Sequence, residues 1–600
     1  MDSFNKKNGV SVRAYKGDAM TLLAFDLQTS LRNNLAGFTI QYFLKGSTEK
    51  YYIYNRLYLP DAIRTASGVP VVEKNSTLYA PIQKMNWVHV PNTNVNTQNA
   101  VFGDYVYEVT PRYIINGVLV PLDANLTVAV EINVSPFDMK NTKIGFTRGF
   151  VSSVAYAKRF NVENNKVRPN KTDLLFDITQ KADSAKRWND TTRKYETVPY
   201  SYEEQHKWLG WQARERVLEF LDEVINDNSL SLKVLAYDLN EPEVSKKLLL
   251  LASQGRLKIL LDDAGEHGEH DSLETAFATL FQAQATGNSQ MVRGHYKGLA
   301  HCKVFILMDA ANKAQKVLTG STNFSTNGLY INSNHVLIFD NPAVAERYNN
   351  YFENSFSTAK LLNIKGQEPT VLDYTFDEVG LPKMTITFAP HQKEDAQRIF
   401  DRISSRITKA DTTDVLFAIM KDGSKSSILS AVKAQLKNEE VFTYGVTDTI
   451  SKTAEDYEVF LYKPNTSRGI RVAAKGIENV LPPPFGKVAG ISGYAIHHKF
   501  IVVNFKGKNP VVYCGSSNLA FTPEQNNGDN LLELYDKDVV TAFAIEALRL
   551  VDHFHWRNHE VNDTETMYLD DLSNSSKAWY KAWFATNDLK NKQRKLYIKA

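Results

Sequence analysis

Two short stretches of this chain hold residue types that could do chemistry at phosphorus. His301-Cys302-Lys303 is followed by Gly320-Ser321-Thr322-Asn323, and His497-His498-Lys499 is followed by Gly515-Ser516-Ser517-Asn518. An imidazole can attack phosphorus as a nucleophile or move a proton to and from oxygen. Lysine ammonium and asparagine amide groups can hold non-bridging oxygens and spread the charge that develops on them. A glycine in the turn lets backbone amides come close to a phosphate, and the neighbouring serine can donate a further hydrogen bond or orient a histidine. Two histidines held face to face, each with a lysine two residues on, therefore suit cleavage of a phosphodiester. One neutral imidazole would form a covalent phosphohistidine. The other, protonated, would give its proton to the leaving oxygen and then activate the resolving water. Symmetry leaves open which histidine attacks. Lys303 and Lys499 already supply positive charge, so this chemistry requires neither a metal nor a cofactor.

The elements that must position these groups are strands. Val304-Phe305-Ile306-Leu307 follows the first lysine and Phe500-Ile501-Val502-Val503 follows the second. Val317-Leu318 and Val511-Val512 precede the two glycines. Short runs of apolar, β-branched and aromatic residues bounded by turn residues read as strands. Residues i and i+2 share a face of a strand, so each histidine projects with its lysine.

The surroundings of the two stretches repeat as well. Helices are expected over Glu203–Asn226 and Pro242–Gln254, with strands over Leu232–Tyr237 and Leu257–Leu261. The later half repeats this order with helices over Glu394–Lys409 and Ser426–Leu436 and strands over Val415–Met420 and Val441–Val446. The strand Asn334–Asp340 matches Asn530–Asp536, and Ala-rich helices follow at Ala343–Phe352 and Val539–Trp556. Two motifs 196 residues apart inside the same order of elements imply an internal duplication, packed about a pseudo-twofold axis.

Six hundred residues exceed one core and imply several domains. Residues 1–138 read as an all-β sandwich of immunoglobulin or fibronectin-like type, with strands near Leu22–Phe25, Phe38–Ile40, Trp87–Val90, Tyr105–Val109 and Leu126–Val130. His89 reads as a packed structural histidine. Residues 139–201 read as a connector and arm, partly helical over Phe150–Phe160. Residues 202–375 and 376–570 are the two α/β halves, and 571–600 is an aromatic and basic tail. Trp579, Tyr580, Trp583 and Phe584 in that tail would either pack on the protein or lie on a membrane or a nucleic-acid strand.

The composition is 43% hydrophobic and 23% charged with a net charge of +3, so no global basic field points to nucleic acid. Two cysteines suit a reducing compartment, and Cys302 and Cys514 read as small buried apolar residues. The N-terminal segment lacks an apolar core behind its charges and no run approaches the ~18 apolar residues of a membrane span, so a cytoplasmic location is expected.

At its two motifs the chain resembles the phospholipase D superfamily, whose signature is His-x-Lys-x4-Asp with a downstream Gly-Ser-x-Asn, twice per active site. The resemblance spans residues 202–560 and implies two α/β sandwich halves with one site between them. It places catalytic roles on His301, Lys303, Asn323, His497, Lys499 and Asn518, with Ser321, Ser516, Gly320 and Gly515 supporting. At the aspartate position the first copy has Met308, with Asp309 one residue late, and the second has Asn504. His301 to Gly320 is also one residue longer than His497 to Gly515, which a bulge would absorb. Asp309 and Asn504 are thus expected as supporting residues. Glu533, in the strand after the second motif, is expected to orient a histidine.

Other candidates are the run Glu266-His267-Gly268-Glu269-His270-Asp271, read as a solvated loop or the rim of the site, and His295 and His335 near the first motif. Pro482-Pro483-Pro484-Phe485-Gly486 is expected to shape the cleft wall. The favoured substrate is a phospholipid head group, because two copies in one chain is the arrangement that lipid-cleaving members share. A nuclease on the same scaffold is the alternative, and an inactive binding protein the second. Peripheral membrane contact and a protein partner on the N-terminal sandwich are further expectations.

Overall fold

The structure is a computed structural model that describes residues 1–600 except 92–100, 140, 150–155, 157–158, 161–166, 190–191, 193, 359–360, 422–425, 450–462, 475–494, 558–567 and 600. The segment Pro482–Gly486 and most of Phe150–Phe160 lie outside the described residues.

The N-terminal region is β-rich. Strands β1 (Asp2–Lys7), β2 (Val10–Lys16), β3 (Thr21–Leu27), β4 (Leu35–Leu44), β5 (Tyr51–Tyr52), β6 (Asn86–His89), β7 (Gly103–Ile115), β8 (Val118–Leu119) and β9 (Val128–Val134) form it. One sheet runs β1-β2-β3-β6; the other runs β5-β4-β7-β8, with β9 also on β7. Their inner faces share one core, including Val12, Phe25, Phe38, Tyr107 and Val130. β9 shows the cause most plainly: its side chains alternate buried and exposed along Val128–Val134, the period of a strand with one face in the core. His89 is buried, with Nδ1 2.8 Å from the Tyr107 hydroxyl, and burial pushes its pKa down to about 3.

Then come β10 (Asp138–Met139) and β11 (Thr142–Phe146), followed by the hairpin β12 (Lys181–Asn189) and β13 (Lys194–Ser201). The first α/β sheet adds β14 (Ser231–Ala236), β15 (Leu257–Leu261), β16 (Gln290–Arg293), β17 (Val304–Met308), β18 (Ala314–Gly320) and β19 (His335–Phe339). The second consists of β20 (Tyr374–Phe376), β21 (Met384–Phe388), β22 (Asp414–Lys421), β23 (Phe442–Thr449), β24 (Ile470–Ala473), β25 (Lys499–Val503), β26 (Val511–Gly515) and β27 (Asn530–Leu534). The first sheet has the order β10-β11-β19-β18-β17-β14-β15-β16, and the second β20-β21-β27-β26-β25-β22-β23-β24. The two orders are the same, strand for strand. In both, the motif strand pairs antiparallel with the first strand of a parallel trio.

The stretch read as a connector is therefore more than a link, since β11 pairs with β19 inside the first sheet. Gly145 interrupts its apolar pattern for a steric reason. A Cβ there would sit 2.9 Å from the backbone of Gln212 and Ala213 in the helix Tyr202–Asn226.

Each sheet is buried on both faces. Val304, Ile306 and Met308 of β17 and Phe500 and Val502 of β25 enter one central core, together with the helices Pro342–Phe356 and Lys537–Arg557. Phe305 and Leu307 face the helices Tyr202–Asn226, Pro242–Ser253 and Leu273–Gln284. Ile501 and Val503 face Lys393–Ile407 and Ser427–Lys437. Local signals set the helix limits: Glu241 caps Pro242 by accepting from Val244 N at 2.6 Å, and Asn341 caps Pro342 by accepting from Val344 N at 3.0 Å.

The tail packs on the protein. Trp583 is buried in the N-terminal core, with Trp579, Tyr580 and Phe584 against it. Trp579 Nε1 donates to Leu35 O at 2.8 Å, and Arg594 pairs with Asp26 at 2.5 Å. The aromatic residues that would have met a bilayer or a nucleic-acid strand thus lie against sheet residues, because the N-terminal core is open without them. Among the described residues no helix is long and apolar enough to cross a membrane.

Leu550, fully buried where the central helix meets the core, tests this arrangement. Leu550→Ala should cost ~2–5 kcal/mol and lower the melting temperature. Thermal unfolding followed by circular dichroism checks it; an unchanged transition would contradict a shared central core.

Candidate active site

The motif residues come together where the two sheets share the central core. His301 and Lys303 stand just before β17, and His497 and Lys499 stand at the start of β25. The aspartates ending β15 and β23 hold the approaches. Asp262 accepts from Ala300 N at 2.6 Å, and Asp448 accepts from Ile496 N at 2.9 Å.

Each histidine is gripped by a residue of the opposite half. His301 Nδ1 lies 2.7 Å from Asp529 Oδ1, and His497 Nδ1 lies 2.9 Å from Asn334 Oδ1. Asp529 and Asn334 occupy equivalent places. Ser516 Oγ donates to Asp529 at 2.8 Å, and Ser321 Oγ donates to Asn334 at 2.8 Å, each 13 residues along the chain. The backbone repeats the exchange: His497 N donates to Ser333 O at 3.1 Å, Ser333 N to Ala495 O at 2.8 Å, and Gly528 N to Leu299 O at 2.8 Å.

With Nδ1 of His301 committed to Asp529, Nε2 is the nitrogen that ring has left for chemistry, while His497 also hydrogen-bonds the backbone of Ser321. Asn334 fixes the assignment on its side. Its Nδ2 donates to Gly328 O at 2.8 Å, so its oxygen faces His497, and His497 carries its proton on Nδ1.

All four titratable motif groups, His301, Lys303, His497 and Lys499, are buried. Burial and the Lys303 ammonium push His301 down to about 4, and burial with Lys499 and Lys303 holds His497 well below the ordinary histidine range. Both rings are therefore neutral near pH 7. Burial pushes Lys303 down to about 8, and burial plus Lys303 lowers Lys499 well below the usual lysine range. Lys499 Nζ donates to His497 O at 2.8 Å, and Lys303 Nζ donates to His301 O. Two like-charged ammonium groups in a buried site form a receptor for an anion.

Asn323 Oδ1, Asn518 Oδ1 and Asp529 Oδ2 are buried without a hydrogen-bond partner. Gly320 (φ 145) and Gly515 (φ 130) take backbone conformations that suit glycine, and a Cβ would lie 2.3 Å from His335 O or 2.5 Å from Asn530 O. The ten residues from His301 to Asn518 that the two motifs put forward as catalytic or supporting thus lie in or beside this cluster.

Three expected supporting residues do not. Asp309 ties the β17–β18 turn, accepting from Ala311 N and Lys313 N at 2.9 Å, at the far end of β17. The extra residue of the first copy is taken up there, where the register shifts between Leu307 and Met308. Asn504 (φ 60) ties the equivalent turn, accepting from Thr413 N at 2.7 Å and donating to Lys508 O at 2.8 Å. Glu533 faces the outer helices: it binds Arg402 at 3.1 Å and accepts from the Tyr535 hydroxyl at 2.8 Å. On β27 it shares a face with Leu531, which packs outward, so it reaches no histidine.

Asp529 and Asn334 take the orienting role instead. Matching Asn334 to Asn530 by type put the two strands one residue out of step. Gly320 pairs with Val336 and Gly515 with Leu531, which sets Asn334 against Asp529 and His335 against Asn530. The equal spacing from Ser321 and Ser516 was the available signal.

Tyr237 also went unread. Its ring lies 4.9 Å from that of His301 and 4.4 Å from that of His267, with Lys303 Nζ 4.8 Å over it. The loop around His267 is therefore a rim of the site, although Glu269 and His270 are exposed. His295 binds Asp263 at 2.6 Å, away from the motif histidines. Among the described residues, Asp238, His267 and Glu274 could hold a metal ion, with ligand atoms all within 4.8 Å of one another. Burial and Asp238 push Glu274 up to about 7. Asn323 Nδ2 lies 3.4 Å from Asp238 Oδ2, so this acidic group borders the motif cluster. Cys302 and Cys514 are buried free thiols, and burial pushes Cys302 up to about 12.

Residues 221–356 match the family described as cardiolipin synthase, PLD-like domain. No curated protein matches the chain. Among solved structures, a phospholipase D family member, Nuc from Salmonella typhimurium, is 22% identical, covering 25% of this chain and 90% of its own, with a TM-score of 0.21. Phosphatidylserine synthase from Haemophilus influenzae is 11% identical over 64% of this chain and 93% of its own, with a TM-score of 0.38. Polyphosphate kinase from Porphyromonas gingivalis is 11% identical over 61% of this chain, at a TM-score of 0.37, and the match spans 53% of that protein.

The lysine shifts predict how an anion binds. Lys303 is charged below about 8, so affinity for tungstate should be highest below that pH and fall ~tenfold per unit above it. Calorimetric titration between pH 6 and 10 checks this, and affinity that rises with pH would contradict it.

Proposed function

We propose that this chain, whose residues 221–356 match a phospholipase D-like family, is a phosphodiesterase with one active site shared between two duplicated halves. The observation that carries the reading is the crossed pair His301–Asp529 and His497–Asn334, which ties one buried neutral imidazole of each half to the opposite half beside Lys303 and Lys499. The matching strand order of the two sheets supports a duplication. The N-terminal β-rich region reads as an immunoglobulin- or fibronectin-like accessory module that docks a protein partner.

The asymmetry of the pair assigns roles. Nε2 of His301 attacks phosphorus while its Nδ1–H stays on the Asp529 carboxylate. The ring becomes cationic as the N–P bond forms, and a carboxylate stabilises that charge better than an amide does. His497, protonated once the anionic substrate has raised its pKa, gives its proton to the leaving oxygen as the P–O bond breaks. It then takes a proton from water, or from an alcohol, which attacks the phosphohistidine and returns His301 to its neutral form. Lys303, Lys499, Asn323 and Asn518 hold the non-bridging oxygens. The lysines supply the charge that a metal would, so the reaction is metal-independent.

The substrate we favour is a phospholipid head group. Asp238, Asp262, Asp263 and Glu274 crowd the rim beside Tyr237, and such a rim repels a long polyanion while suiting a cationic alcohol over an aromatic ring.

Parallel assays with phosphatidylcholine, single- and double-stranded DNA and bis-p-nitrophenyl phosphate, all in EDTA, test this. Turnover of phosphatidylcholine without DNA cleavage is expected, and the reverse selects a nuclease. His301→Ala and His497→Ala should each lose activity by ~10³-fold or more. Activity that disappears in EDTA or survives both changes sinks the mechanism. Acid quench during turnover should trap phosphorus on His301, and its recovery on His497 would reverse the roles.

A further inference from the structure

Beside the motif cluster stands a second group of chemistry-bearing side chains, which takes no part in the proposed reaction. Asp238 follows β14, His267 lies in the turn Gly265–Gly268, and Glu274 lies in the first turn of the helix Leu273–Gln284. Three separate elements thus deliver an imidazole and two carboxylates to one place. One ligand atom of each lies within 4.8 Å of the other two.

Each of the three is held from behind. His267 Nδ1 lies 3.1 Å from Asp262 Oδ2, and Asp262 is fully buried, accepting from Ala264 N at 3.0 Å and from Ala300 N at 2.6 Å. A carboxylate on one ring nitrogen fixes the orientation of an imidazole and leaves Nε2 its lone pair for a metal. The Tyr237 ring packs on that of His267 at 4.4 Å. Arg293 donates to His267 O at 2.6 Å and Ser272 Oγ to the same oxygen at 2.9 Å, so the turn itself is fastened. Glu274 accepts from Leu239 N through Oε1 at 3.0 Å, and Asp238 accepts from Asn240 Nδ2 through Oδ1 at 2.7 Å. Each carboxylate keeps its second oxygen.

The charges of the group call for a cation. Among the described residues the hydrogen-bond donors to the two carboxylates are a backbone amide and the amides of Asn240 and Asn323, all neutral. Glu274 is 4% exposed and faces Asp238, a costly arrangement for two carboxylates with no cation between them. Asn323 adds a buried acceptor. It is 7% exposed, its amide lies against Asp238, and its Oδ1 has no hydrogen-bond partner. Oxygen atoms crowded in this way are matched by a positive ion.

The donor set selects the kind of ion. Calcium and magnesium take oxygen ligands throughout, whereas an imidazole nitrogen with carboxylates suits zinc. We propose that Asp238, His267 and Glu274 bind a zinc ion, which ties the rim loop to the end of β14 beside Tyr237. Its ligands lie outside the two motifs, so no proton or phosphoryl step passes through it. The ion takes up the charge of Asp238 and Glu274, while Asp262, Asp263 and the Tyr237 ring remain on the rim. The proposal stands on side-chain geometry and does not depend on the phosphodiesterase reading.

Calorimetric titration of the full-length chain with Zn²⁺, after stripping with EDTA and removal of the chelator, tests it. Wild type should take up zinc at a strong site, and His267→Ala and Glu274→Gln should each weaken that site ~10-fold or more. Glu274→Gln keeps the acceptor for Leu239 N, so its effect reports ligation and not unfolding. His295→Ala, which removes a ring bound to Asp263, should bind as wild type does. Co²⁺ in place of Zn²⁺ should give visible d–d bands that His267→Ala shifts. Failure of wild type to take up zinc marks a cluster balanced by protons and overturns the proposal. Equal uptake by wild type and Glu274→Gln, or cobalt bands unchanged in His267→Ala, places the ion elsewhere and overturns it too. Neither measurement uses turnover, so the proposal fails or stands apart from the phosphodiesterase assays.

Discussion

The bonds from His301 to Asp529 and from His497 to Asn334 are the interactions on which the rest of the structure depends. Each crosses from one half of the chain to the other. An imidazole buried without a partner would be costly and free to choose its tautomer. Neither half can supply the partner itself, because the orienting residue lies at the head of the strand beside its own serine and faces away across the interface. The halves must dock for either histidine to be set. The two eight-stranded sheets, the shared central core and the paired backbone bonds around Ser333 and Gly528 are the means of that docking.

The two grips are alike in position and different in type. A carboxylate meets one ring and an amide the other, within the same local geometry. Under the proposed mechanism, charge favours His301 for the step in which a ring becomes cationic. The amide suits His497 to the proposed role of giving up a proton and taking one back. The lysines do not discriminate, since both are buried and both are lowered by burial.

Much of the frame could be read from residue types. The apolar run Leu257–Leu261 is a strand with those limits, and the helix ending before Gly255 stops at Ser253, with Gly255 at φ 76. The motif histidines and lysines were legible because both copies keep the same types at the same spacing. Asn334 and Asp529 were not, because the copies differ there and a one-residue misalignment offered a better match of types. Glu533 was misjudged for want of parity: two positions from the outward Leu531, it could only face outward. Strand β11 was hidden because Gly145, which a helix backbone requires, breaks its apolar pattern.

The clasp of the helix Leu589–Ile598 on the N-terminal sheets bears on how the molecule comes into being. Arg594 reaches back to Asp26 across 568 residues, and the Tyr15 hydroxyl meets the backbone of Tyr597 across 582. A ribosome emitting this chain delivers the first β-strands long before the groups that close their core. Until the last of those groups emerges, Trp583's place in the early core is empty and its apolar lining faces water or a chaperone. The grips on the histidines follow the same timetable, since His301 waits for Asp529. A nascent chain therefore holds His301 unset until Asp529 has emerged, late in synthesis and shortly before the tail closes the N-terminal core.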